Sequence, residues 1–337
     1  MPGERLRVHF ESLTRSAVFH ITVAEVAAAK RRHPEVAARI IASRGENLVG
    51  LSRILPKIEV LISSEFVLSH PDFPLCTLEL AAPRLRWIHV TNAGVEKLLP
   101  LDWLPRSVTL TNSSGAHFAK ALEFATMAIL MLHARLPQII DNQHKRKWEK
   151  VLTPSVAGKT LCVLGVGHVG RAFALAGRRL GLKVVGVRSL AKPSPYVDRM
   201  YSSADLHRAL RQADFVAVCL PLTADTEHLI GAREFRSMRP GVGFINVGRA
   251  RVVDYQAMQS GLTAGHVSGA IVDVFDPEPL PPDAELWAAP NLILAPHVVL
   301  DDAERFLGNC LDIGFANLAR YLDKGRLRNR VSRSTGY

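Results

Sequence analysis

The stretch that most constrains this chain is Gly165-Val166-Gly167-His168-Val169-Gly170, because it stands between an apolar β-rich run, Thr160-Leu161-Cys162-Val163-Leu164, and a helical pattern opening at His168. Glycines at this spacing permit a tight strand-to-helix turn, let the backbone approach a pyrophosphate, and let helix and strand pack closely. The helix start adds N–H groups and partial positive charge for an anion. The turn predicts one crossover of a parallel sheet and a dinucleotide held at Gly165, Gly167, His168, Val169 and Gly170.

The next strand ends on a cation. Arg188 comes 18 residues after Gly170, where an acid would bond the adenosine ribose hydroxyls and repel a 2'-phosphate. A guanidinium pairs with that phosphate through a charge-assisted fork, and Ser189 and Lys192 add a donor and a second charge. NADP(H) is therefore the preferred cofactor expected here, with NAD(H) also admitted.

β-rich runs recur along the chain: LRVHF from Leu6, IEVLISS from Ile58, LRWIHVT from Leu85 and SVTLTN from Ser107, then 160–164, 183–187, 214–220, 242–248, 266–275 and 291–297. Helical or loop patterns separate them, which argues for parallel sheets, the second of about six or seven strands. Residues 21–41 read as one helix, opened by the capping-box pair Thr22 and Glu25. Residues 118–136 are apolar on most faces and predict a hinge helix buried between two bodies. The last helical pattern, 302–325, predicts a return to the first body.

The formal charge is +11 and the pI about 9.8. The basic clusters at 30–33, 144–147 and 325–333 lack aromatic interleaving and any zinc-finger or helix-turn-helix pattern. They read as solvated surface rather than a nucleic-acid groove. No apolar run approaches the roughly 18 residues of a spanning helix, and MPGERLRVHF is too polar for a signal peptide, so a soluble, cytoplasmic chain is expected. Cys76, Cys162, Cys219 and Cys310 form no CxxC pair, and neither a disulfide framework nor a metal site is expected.

Three further motifs end successive β-rich runs: Asn246-Val247-Gly248-Arg249, then Asp273-Val274-Phe275-Asp276-Pro277-Glu278, then Ala295-Pro296-His297. A 2-oxo acid needs a bidentate cation for its carboxylate and a proton for its carbonyl oxygen as hydride arrives. The proton donor needs an acid to keep it charged near neutral pH. Arg249, His297 and Glu278 are the candidates. His117, His168 and His266 lie in no motif and read as structural or exposed.

Through LGVGHVGR, ADFVAVCLPLTADTEHLI, FINVGRARVVD, GAIVDVFDPEPLP and NLILAPH, in that order, the chain resembles the D-isomer-specific 2-hydroxyacid dehydrogenases. That family includes glyoxylate/hydroxypyruvate reductases, D-lactate dehydrogenases and phosphoglycerate dehydrogenases. WIHVTNAGVE and VTLTNSSGAHFAKALEFA resemble its substrate loop and hinge. The resemblance implies an α/β chain of two doubly wound parallel-sheet domains: a Rossmann-type nucleotide domain over 118–300 and a flavodoxin-like substrate domain from 1–117 and 301–337. It places the catalytic roles on Arg249, Glu278 and His297, and the substrate carboxylate on the backbone of Asn92, Ala93, Gly94 and Val95. It puts Leu220, Pro221 and Val247 along the cofactor cleft and Asp273 on the nicotinamide carboxamide. It further implies NAD(P)H-dependent reduction of a short 2-oxo acid, a homodimer joined through the nucleotide domain, and domain closure over the substrate.

Two departures stand out: Ala250 where a glycine is usual, and Val298-Val299-Leu300 where small residues are usual. The second predicts a narrowed pocket, a displaced nicotinamide or weakened activity. Glu278, where formate dehydrogenases carry glutamine, argues against that chemistry. Alternatives left open are NADH-linked oxidation of a 2-hydroxyacid and a low-activity, cofactor-sensing binding protein of the corepressor kind.

Overall fold

The computed structural model describes residues 5–13 and 19–333; the first four residues of the polar start lie outside the described residues. The chain divides into two compact units, Met1–Ala116 with Asp302–Tyr337, and His117–Asp301.

The first unit is built on five parallel strands, β1 (Leu6–Glu11), β2 (Ile40–Gly45), β3 (Val60–Ser63), β4 (Trp87–Val90) and β5 (Thr109–Asn112), in the order β2-β1-β3-β4-β5. This is the flavodoxin-like order. β3 and β4 are buried along their whole length, as strands covered by helices on both faces must be, so they appear in sequence as apolar runs without alternation. Helix Phe306–Leu322 supplies part of that cover within this unit, and its Phe315 stacks on Phe10 at 6.1 Å between ring centroids. Burying each such ring removes enough apolar surface to stabilise the unit by roughly 1.5–3 kcal/mol.

The single helix expected over 21–41 is not what forms. Thr22 does cap it, accepting from the Glu25 N–H at 3.1 Å, but the helix ends at Arg32. Pro34 has no N–H to continue the ladder and restricts His33 before it. A single turn, Pro34–Ala37, follows, and Ile40–Gly45 becomes the edge strand β2.

The second unit has seven parallel strands: β6 (Thr160–Leu164), β7 (Lys183–Arg188), β8 (Arg199–Ser202), β9 (Phe215–Val218), β10 (Val242–Asn246), β11 (Val267–Val272) and β12 (Leu292–Leu294). Their order is β12-β11-β10-β9-β6-β7-β8. The order reverses between β6 and β9, which puts a topological switch point, where ligands bind in such sheets, at the C-terminal ends of those strands. Helix Phe118–His133 lies on this sheet and buries Phe124, Ala128, Ile129 and Leu132. It is not apolar cover on every side, however, since its Met127 and Leu130 are exposed. It stops before Arg135, whose backbone is left-handed at φ 56°, and a separate helix, Leu136–His144, begins there. No helix among the described residues is long and apolar enough to cross a membrane.

Candidate active site

At the end of β6, Gly165 takes φ +89°, and a Cβ on Gly170 would stand 2.0 Å from the Gly165 carbonyl oxygen. Only glycine allows this turn and this helix-to-turn approach. Gly167 differs: a Cβ there would meet no atom within 4 Å. It opens the helix His168–Arg179 with no side-chain cap, so the helix start faces open space flanked by His168 and Val169. Such a start presents unpaired N–H groups and suits an anion. Arg188 is the exposed last residue of β7, followed by exposed Ser189 and Lys192. Leu220 and Pro221 follow β9, and Val247 is buried after β10.

The loops after β10, β11 and β12 carry Arg249, Glu278 and His297. Asn246 builds the first, its Oδ1 accepting from the Gly248 N–H at 3.0 Å and its amide donating to the Arg249 carbonyl at 3.3 Å. The Asn246 amide also donates to the Tyr255 hydroxyl at 3.0 Å, and that hydroxyl donates to the Val274 carbonyl at 2.7 Å, tying the first loop to the second. Burial pushes the Tyr255 phenol well up, so it stays a neutral donor. The Glu278 carboxylate is held at both oxygens, by the Phe275 N–H at 2.8 Å and by His297 Nδ1 at 2.8 Å. A carboxylate only accepts, so Nδ1 carries the hydrogen and Nε2 is the other working end of the ring.

His297 itself has a left-handed backbone, φ 54°. This is uncommon for a residue with a Cβ and costs of order 1 kcal/mol, so neighbouring contacts must impose it. Asp273 is one of them: its Oδ1 accepts from the Val298 N–H at 2.9 Å and the Val299 N–H at 3.3 Å. Asp273 is almost wholly buried, and desolvation lifts its carboxyl to about 6 against the pull of those two N–H groups. Val299 and Leu300 are partly buried against the apolar cluster that includes Phe124, Val166 and Val247, and Val298 is exposed.

Sequence reasoning set aside His117, which the structure places in this neighbourhood. It lies 2.9 Å from the Leu300 carbonyl and 3.7 Å from an Asp301 carboxylate oxygen, and burial first, then the charges of His297 and Arg249, lower its pKa. No motif marks it, because its partner is 183 residues away in the chain. His168 bonds Arg171 at 3.3 Å and His266 bonds the Phe235 carbonyl at 2.9 Å. No metal-holding group of three His, Cys, Asp or Glu occurs among the described residues.

In the first unit, the loop Asn92–Val95 follows β4 and is fixed from both sides. Asn92 Oδ1 accepts from the Glu65 N–H at 2.9 Å, the Asn112 amide donates to the Ala93 carbonyl at 2.7 Å, and Val95 is fully buried. Gly94 sits between these anchors.

Comparison with known proteins agrees with this architecture. The family model for the D-isomer specific 2-hydroxyacid dehydrogenase, NAD binding domain, matches residues 126–299. A glyoxylate reductase from Korarchaeum cryptofilum is 31% identical over 224 residues, covering 64% of this chain and 67% of the relative. A D-isomer specific 2-hydroxyacid dehydrogenase family protein from Aeromonas salmonicida superposes with a TM-score of 0.75 at 27% identity, over 98% of this chain and 100% of that one. An NADPH-dependent glyoxylate/hydroxypyruvate reductase from Sinorhizobium meliloti, solved with NADP and sulfate, shares the fold with a TM-score of 0.78 at 24% identity, over 99% of this chain and 100% of that one. The chain belongs to the D-isomer specific 2-hydroxyacid dehydrogenase family.

Proposed function

We propose that this protein reduces a short 2-oxo acid of the glyoxylate or hydroxypyruvate type to the D-2-hydroxy acid, with NADPH preferred over NADH. The observation that carries the reading is the 2.8 Å bond between His297 Nδ1 and Glu278, on loops that follow β12 and β11, with Arg249 on the loop after β10.

The open side of Gly167 is a cradle that a Cβ would fill, so the residues fit a dinucleotide pyrophosphate. Gly165, Gly167, His168, Val169 and Gly170 would hold it, with Leu220, Pro221, Val247 and Asp273 as further cofactor residues. Arg188, Ser189 and Lys192 would read a 2'-phosphate. A reduced nicotinamide supplies the hydride when bound.

The rest of the chemistry belongs to the chain. Glu278 accepts from Nδ1 and orients the ring, so His297 delivers a proton from Nε2 to the carbonyl oxygen as negative charge develops there. Arg249 pairs with the substrate carboxylate through its planar fork and polarises the adjacent carbonyl. Asn92, Ala93, Gly94 and Val95 keep their proposed role toward the same carboxylate. A homodimer through the second unit completes the reading.

The test follows NADPH and NADH absorbance with glyoxylate, hydroxypyruvate, pyruvate and phenylpyruvate. Faster NADPH loss with the smaller acids is the expected result. Tight NADPH binding without turnover on any of them would replace this reading with a cofactor-sensing role.

A further inference from the structure

The chain passes between its two units twice, after Ala116 and after Asp301, and both crossings border the loop that carries His297. His117 opens the second unit and Asp301 closes it. His117 Nδ1 lies 2.9 Å from the Leu300 carbonyl oxygen, and a carbonyl only accepts, so Nδ1 is the donor. One hydrogen bond thus joins the first residue of the unit to its penultimate one.

We infer that His117 is a positioning residue for the reaction proposed above: its bond to the Leu300 carbonyl anchors the loop His297–Asp301 to the start of helix Phe118–His133 and holds His297 in the left-handed conformation from which it meets Glu278. Three anchors define that loop. Asp273 takes the Val298 and Val299 N–H groups, the Val299 and Leu300 side chains pack into the apolar cluster, and His117 takes the last carbonyl but one. The turn is closed by the Asp301 N–H on the Val298 carbonyl at 3.1 Å. Removing His117 frees the Leu300 end and leaves the two Asp273 bonds to hold the loop without that support, so the Val298 and Val299 N–H groups open more often and the strained residue before them has less to hold it.

The environment of His117 suits a neutral donor. Burial first, then the neighbouring His297 and Arg249, disfavour a positive charge on its ring, against the opposite pull of Asp301. Burial in turn pushes the Asp301 carboxyl upward.

The experiment compares wild type with His117→Ala and His117→Asn, whose amide restores an N–H donor. Amide hydrogen exchange on the protein without added cofactor reads the loop directly. In His117→Ala, exchange at Val298 and Val299 should rise at least about tenfold while β6 and β9 amides keep their protection, and His117→Asn should recover most of the difference. In turnover assays kcat should fall about tenfold or more in His117→Ala, with KM for NADPH nearly unchanged. Unchanged exchange at Val298 and Val299 overturns the inference, and so does a uniform rise that includes β6 and β9, which would make His117 a general stability residue. If His117→Ala does not fold, failure of His117→Asn to protect Val298 and Val299 as wild type does is equally decisive. Because exchange needs no substrate, absence of 2-oxo acid reduction in wild type would remove the proposed reaction and leave the anchor to be judged on its own.

Discussion

His297 meets Glu278 at 2.8 Å from a backbone at φ 54°, so the pair depends on a local conformation that the loop around it must enforce. Both side chains remain partly open to solvent, 51% for the histidine and 37% for the acid. An exposed pair of this kind contributes little to folding, which suits the proton-transfer role proposed for it.

His297→Ala should therefore lower kcat by about 10²–10⁴-fold with the unfolding midpoint and the affinity for NADPH nearly unchanged. Glu278→Gln should lower kcat less, since the amide can still orient the ring but supplies no charge. Steady-state kinetics beside a fluorescence titration of NADPH separates the outcomes. Loss of NADPH binding in His297→Ala would make the histidine structural.

The two later glycines of the turn should respond differently to the same substitution. Gly170→Ala places a Cβ 2.0 Å from a carbonyl oxygen and must displace backbone, costing about 1–3 kcal/mol of stability or more. Gly167→Ala meets no protein atom and should cost about 1 kcal/mol or less, yet its methyl enters the space proposed for the pyrophosphate. Urea denaturation and NADPH titration on both variants check this. Full NADPH affinity in Gly167→Ala would move the phosphates elsewhere.

Arg188→Asp tests the choice of cofactor. Losing a charge-assisted hydrogen bond costs about 1.5–3 kcal/mol, so the ratio of kcat/KM for NADPH to that for NADH should fall by about 10- to 100-fold. The exposed position of Arg188 makes a folding defect a poor explanation for such a change. An unaltered ratio would remove Arg188 from cofactor choice.

The fold and the candidate site were legible to different depths. The strands of the second sheet announced themselves because β6, β9, β10 and β11 are buried from end to end, and such strands have to be apolar runs. The edge strands β2 and β8 carry no such requirement. β2 follows a helical pattern and runs into polar Ser43-Arg44-Gly45, and β8 is Arg199-Met200-Tyr201-Ser202 with one buried residue. Arg249, Glu278 and His297 could be picked out because each ends a β-rich run. Tyr255 and His117 act on backbone carbonyls of other loops, 19 and 183 residues away, and no spacing rule in one sequence encodes such partners. The packing of Val299 and Leu300 against the apolar cluster is likewise set by tertiary structure and cannot be read from side-chain volume alone.

Six of the ten exposed large apolar residues described in the second unit fall between positions 127 and 152: Met127, Leu130, Ile139, Ile140, Trp148 at 96% exposure and Leu152 at 89%. Large apolar side chains this open to water suit the homodimer proposed above. Trp148→Glu with Leu152→Glu should weaken association at least about 30-fold, since a buried aromatic anchor is worth about 2 kcal/mol or more. Sedimentation at a series of concentrations reads this, and a monomeric wild type at micromolar concentration would end the proposal.

Asp273 gives a prediction with a definite sign in pH. Its folded-state pKa is raised to about 6 from an ordinary 3.8, with desolvation as the main cause, so the native state binds the extra proton between those values. Stability falls with rising pH wherever the native state holds more protons than the unfolded one, so this carboxylate weakens the fold progressively from about pH 4 to about pH 6 and no further above it. Asp273→Asn keeps an oxygen to accept from Val298 and Val299 but has no charge to bury. The stability of wild type relative to Asp273→Asn should decline across that window and then level off, measured by urea denaturation at pH steps. A difference that grows in favour of wild type as pH rises would mean that the ionised carboxylate is stabilised by its two N–H partners more than burial penalises it.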